Sequence, residues 1–228
     1  MPAQDRLKPV VGAALRTPRA AAIAGIAFSV LFMTALILTR SSVPVDPLER
    51  GEWLGTDAGK IVLAQNLVPF AGIAFLWFMG VLRARMANLE DRFFATVFLG
   101  SGLLFLAMLF AGMASISAIL LVYAGHPEDI APGGAFAIAR ALTYSIVNVY
   151  AVKMAGVFMF VTSTISLKTK LVVRWIAGLG YALGIALLFG SGLTRWSMMA
   201  FPAWVLVVSV YILVDNLRRA PETAPRES

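Results

Sequence analysis

Cysteine is absent from this chain of 228 residues, and histidine occurs once. The first absence excludes a disulfide frame, a thiolate nucleophile, an iron–sulfur cluster and a zinc–cysteine site. The second excludes bis-histidine haem ligation and any multi-histidine metal centre. Charge is also scarce, at 14% of residues against about 25% in an ordinary soluble domain. What fills the space is apolar: 60% of residues are hydrophobic, and the mean hydropathy is +0.84. One core of this size cannot hide so much apolar surface from water. The composition therefore predicts an integral membrane protein.

The apolar residues fall in six runs, 20–39, 61–82, 93–124, 141–166, 175–192 and 196–214. The expected fold is an all-α, six-span transmembrane helix bundle forming a single domain. The first run has 20 residues after Arg16 and Arg19. At about 1.5 Å per residue it crosses a hydrocarbon core of roughly 30 Å, and it is longer than the core of a cleavable signal peptide.

The basic residues set an expected orientation. Segments before run one, between two and three, between four and five, and after six hold 13 of the 19 Lys and Arg. The acids divide six and six, so one side nets +7 and the other −1, with Lys153 inside a run. The positive-inside rule then places both termini in the cytoplasm. The same belt explains the pI near 10.1. Its expected partner is a bilayer with anionic headgroups at the cytoplasmic face, not nucleic acid.

Residues 40–60 carry two prolines and three glycines and read as an outer loop without long regular structure, with Trp53 as an interfacial anchor. Glu90 and Asp91 read as acids capping run three. Run three is over-long: 32 residues measure about 48 Å, so it either projects beyond the membrane or bends at Gly100–Gly102 or Gly112. Counted from Gly134, run four is over-long too. Spans three and four are thus expected to form a hairpin projecting outward, with residues 125–134 at its tip. The apolar stretch Ile119–Val122 would then need cover from the hairpin, another copy or a partner. Residues 216–228 read as a disordered cytoplasmic tail.

Four positions are candidates for a substrate or ion pathway: Lys153, Asn148, Gln65 and Asn66. An ionisable residue within a span is costly and a functional candidate by default. Lys153 either snorkels, or serves a polar pathway or ligand, or meets a partner subunit. No Asp or Glu occurs in any run to pair with it, which weakens proton-coupled transport. Pro69 frees the carbonyl near Gln65 and Asn66, and Asn148 and Pro202 fall at a similar depth. The plainer account is hydrogen bonding between helices. Gly180 and Gly184 form a GxxxG for close helix approach, within the chain or between copies. His126, beside Glu128 and Asp129, reads as a solvated turn. No catalytic set, metal site or cofactor site is expected.

The segment Phe75–Phe110, and within it EDRFFATVFLGSG at residues 90–102, resembles uncharacterised bacterial multi-span membrane proteins. That resemblance implies a protein of the bacterial plasma membrane and carries no site residues. Two functions are compatible with all of this. One is a non-enzymatic accessory or assembly subunit of a membrane complex, with a protein partner or a second copy. The other is a small-solute or ion transporter or channel with a polar cavity in the outer half.

Overall fold

The computed structural model describes residues 18–44, 46, 53–86, 92–125, 134–169, 172–190 and 196–219. These are almost entirely helical, and no strand occurs among them. The helices are α1 (Pro18–Ser42), α2 (Trp53–Met86), α3 (Arg92–Gly125), α4 (Gly134–Ser145), α5 (Val152–Thr169), α6 (Arg174–Phe189) and α7 (Ala200–Arg219). A π-helical turn, Ile146–Ala151, joins α4 to α5, and a 3₁₀ turn, Ser197–Met199, precedes α7. The protein is an all-α bundle. Five of its helical stretches, with α4 to α5 counted as one, are long and apolar enough to cross a membrane, so it is a multi-pass membrane protein. The fifth apolar run forms only the 16-residue α6, about 24 Å long.

The bundle core is built by phenylalanine. Phe28 and Phe32 of α1, Phe75 and Phe78 of α2, Phe98 and Phe105 of α3, Phe158 of α5 and Phe201 of α7 are all essentially inaccessible. Phe75 sits at the hub, with ring centroids 4.7 Å from Phe28, 5.1 Å from Phe158 and 5.6 Å from both Phe105 and Phe201. Such tilted and edge-to-face pairs each add about 0.5–1.5 kcal/mol beyond burial.

Small residues set the helix spacing around this hub. A Cβ on Gly156 would lie 2.8 Å from the Gly184 carbonyl oxygen, and one on Gly184 would lie 2.9 Å from the Gly156 oxygen. The backbones of α5 and α6 therefore touch, as glycine at a helix crossing permits. Gly180 abuts Ser163 and Trp204, so the GxxxG packs within the chain. Thr164 and Tyr181 share a 2.8 Å hydrogen bond, and Trp204 Nε1 donates to the Ile176 carbonyl at 3.3 Å.

Above the end of α1 at Ser42, α2, α3 and α4 continue as a three-helix cap. Here the structure departs from the loop expected over 40–60, because residues 53–60 are the first two turns of α2. Trp53 is not an interfacial anchor: it is 6% exposed and forms a second apolar cluster with Leu54, Ile61, Ile116 and Ile119. That burial offsets the roughly 1 kcal/mol that Gly55 and Gly59 each cost a helix. It also supplies the cover that Ile119 needs. Helix α3 runs unbroken from Arg92 to Gly125, about 51 Å. Gly112 is a contact point and not a bend: a Cβ there would lie 2.3 Å from Val147 Cγ2 in the π turn.

Two further differences concern proline and the C-terminus. Pro202 lies in the first turn of α7, where a missing N–H costs nothing, so it does not break a span. Residues 216–219 of the expected tail are the last turn of α7. The hairpin tip with His126, the acids before α3 and the rest of the tail lie outside the described residues.

Candidate functional site

A cavity of about 70 Å³ lies where the aromatic core gives way to the cap. Its lower wall is apolar, with Phe32, Ala35 and Leu36 of α1, Val68 of α2 and Leu109 of α3. Its upper wall is mixed, with apolar Val43, Pro44 and Ile116 beside Thr39 and Arg40 at the end of α1 and Arg140, Thr143, Tyr144 and Asn148 from α4 and the π turn. No acidic side chain lines it among the described residues.

Local structure holds both arginines. Arg40 sits in the last turn of α1, where a cation complements the helix dipole. Its Nη2 donates to Asn148 Oδ1. Asn148 is itself fixed, because its Nδ2 donates to the Tyr144 carbonyl four residues back at 3.1 Å. Asn148 lies in the π turn, a distortion often found at functional sites. Arg140 is only 5% exposed. Its Nη2 donates to the carbonyls of Pro44 at 3.2 Å and Asp46 at 3.1 Å, tying the chain after α1 onto α4. Its guanidinium carbon stands 5.0 Å from the Trp53 ring centroid, a cation–π distance. The tryptophan that anchors the cap thus also forms a face on which Arg140 rests.

The structure does not gather the four sequence candidates into one place. Asn148 lines the cavity; the other three do not. Asn66 is exposed on α2 and donates to the Val62 carbonyl at 2.9 Å. Gln65 is half-buried, with its Nε2 enclosed and without a hydrogen-bond partner. Lys153, one turn beyond Asn148 in the first turn of α5, is half-buried and makes no hydrogen bond or ion pair with a described residue. Its neighbour Tyr150 is 59% exposed.

The residues that sequence reasoning missed are Arg40 and Arg140. In the positive-inside count both fall among the five basic residues of the outer side, with Arg50, Lys60 and Arg195. The available signal was the helix itself: Arg140 lies six residues after Gly134, within the over-long fourth helix, and a charge there must meet either solvent or a partner.

No group of three or more His, Asp or Glu side chains among the described residues is placed to hold a metal ion. The arrangement sets two guanidinium groups and an amide above an apolar floor. No protein-family model, curated protein or solved structure matches the chain.

Proposed function

We propose that this chain is a non-enzymatic multi-pass membrane protein that binds a small solute at its outer face, as the binding step of a carrier. One observation supports this above the others: the cavity joins Arg40, Arg140 and Asn148 to an apolar floor at the level where α1 ends. Counting about 1.5 Å per residue, Arg40 lies roughly 30 Å along α1 from Arg19, and Asn148 roughly 30 Å from Lys168. In the N-in, C-in arrangement that positive-inside counting gives, both stand at the outer boundary of the hydrocarbon. Helix α6 would form a short sixth crossing. The phenylalanine hub lies directly beneath the cavity, so solute release inward requires those rings to part. That is the behaviour of a gated carrier and not of an open channel.

The test is counterflow in vesicles containing the purified protein, using a panel of labelled anionic, cationic and neutral small solutes. Accumulation of one class, lost in Asn148→Ala, is the expected result. No accumulation of any class overturns the carrier reading.

A second reading, an accessory subunit of a membrane complex, is favoured by one separate observation. Leu121 and Val122 of α3 are 77% and 55% exposed, and Ile138 and Leu142 of α4 are 70% and 53% exposed. All four belong to the cap, beyond the end of α1, where apolar side chains gain from a protein neighbour. Extraction in mild detergent followed by mass spectrometry of stoichiometric companions tests it. Recovery of the chain alone overturns it.

A further inference from the structure

We infer that α4 is a lid over the cavity, hinged at the π turn and latched to the end of α1 through Arg140 and Asn148. The inference rests on the solute-binding reading and adds the element that admits the solute.

The first argument is how α4 is attached. Helix α5 buries ten of its 18 residues, with Phe158 and Met159 among them. Helix α4 buries two of its 12, Arg140 and Thr143, and neither is apolar. Phe136 and Ala139 are half-buried against the Trp53 cluster, and Ile138 and Leu142 face outward. An element with little apolar burial opens at lower cost than the bundle it covers.

The second argument is the chemistry of the ties. Arg140 Nη2 donates to the Pro44 and Asp46 carbonyls, and Asn148 Oδ1 accepts from Arg40. Water can replace such bonds as a helix moves away, whereas a buried ring has no substitute partner.

The third argument is the hinge. The π turn interrupts the α-helical hydrogen-bond ladder between α4 and α5, and a long helix bends at such a break. Helix α3 meets the turn at Gly112, so no α3 side chain stands against Val147 there. The cavity lies on the other side, lined by Thr143, Tyr144, Val147 and Asn148. The turn thus has a glycine on one side and open volume on the other. Ile138 stands about 12 Å along the helix from the start of the turn, so a swing of about 30° carries it roughly 6 Å.

The experiment uses the reconstituted full chain, which has no cysteine of its own to obscure a single substitution. Ala35→Cys sits on the cavity floor and Ala71→Cys in the phenylalanine core; both alanines are buried. A membrane-impermeant methanethiosulfonate should modify the first and spare the second. Arg140→Gln should speed modification at position 35 about tenfold, which is what losing one directed bond is worth. Losing a nearby cation would by itself slow a thiolate, so acceleration reads opening. Spin-label pairs then locate the hinge: Val62 with Ile138 across the cap, and Ile73 with Phe160 across the bundle, all four exposed. Arg140→Gln should move the cap pair by roughly 6 Å and leave the bundle pair in place.

Asn148→Ala releases the second tie and should act in the same direction, so a failure of Arg140→Gln to fold does not end the test. No modification at position 35 in the otherwise unaltered chain overturns the lid. So does a rate there that neither variant changes. Equal movement of both spin pairs overturns the hinge, because the ties would then hold the whole bundle. Neither readout needs a solute. A lid that opens in a chain without counterflow overturns the solute-binding reading and leaves the motion; counterflow with α4 fixed overturns the lid alone.

Discussion

The bundle below Arg40 and the cap above it are both made of apolar helices, yet they are held together by different chemistry. Below, eight buried phenylalanines interlock around Phe75, and glycines bring α5 and α6 into backbone contact. In lipid there is little hydrophobic drive between helices, so close packing and small residues carry their association. Above, a small apolar cluster around Trp53 joins α2 to α3, and directed bonds fasten α4 and the end of α1 to it: Arg140 to the chain after α1 and to the Trp53 ring, Arg40 to Asn148. The lesson is that an extended ring cluster and backbone contact dominate the lower region, while the upper adds directed bonds to a much smaller apolar cluster. The cavity forms at the seam because neither kind of packing fills it.

That contrast is tested most severely at Phe75. Phe75→Ala removes the hub of the ring cluster and is expected to destabilise the protein by about 3–5 kcal/mol. Reversible unfolding in detergent, followed by tryptophan fluorescence, measures the loss; a change below 1 kcal/mol would mean the cluster is not the core. Next comes Gly184→Leu, which drives a side chain into the Gly156 carbonyl. Its expected cost is about 1–3 kcal/mol, with proteolysis of the α6 region accelerated.

In the cap, Trp53→Ala should cost about 3 kcal/mol locally. Hydrogen exchange should rise over residues 53–61 and 134–144 while the phenylalanine bundle stays protected. Exchange rising uniformly would show that cap and bundle unfold as one unit. Gly112→Ala presses a methyl group toward Val147 and is expected to cost about 1 kcal/mol, read as a shifted Tm. The smallest effect belongs to the Lys60–Asp57 pair at 2.7 Å, whose lysine is 55% exposed. Lys60→Ala should shift Tm by no more than about 1 °C.

The difference between the two regions also governs what the sequence revealed. The bundle was legible because lipid imposes long apolar runs, and composition alone separates these from loops. Span three's excess length is realised as the unbroken α3, which continues past the end of α1 together with α2 and α4. The cap was largely illegible. Residues 53–60 carry two glycines, an aspartate and a lysine, and only the burial of Trp53 and Leu54 against Ile116 and Ile119 makes them helix. Local signals cannot report a contact sixty residues away.

Asn148 was singled out by its depth, whereas Arg40, which donates to it, was not. Arg40 and Arg140 were assigned by position to the outer side and tallied as topology markers. Their meeting at one cavity depends on tertiary packing that charge counting does not address. Conversely, Lys153 stood out by its rarity within a span, and rarity did not bring it to the cavity.

The π turn has a mechanical consequence. A π turn accommodates about one residue more than the α-helical turn it replaces, which changes the angular phase between α4 and α5 by roughly 100°. It acts as a gear offset within a single helix. Below it, α5 presents Gly156 to α6; above it, α4 presents Arg140 and Thr143 to the cavity. Removing one residue from Ile146–Ala151 would restore an ordinary helix and leave every other side chain in the chain. The arginine and the glycine would then be out of step, and only one of the two faces could remain engaged.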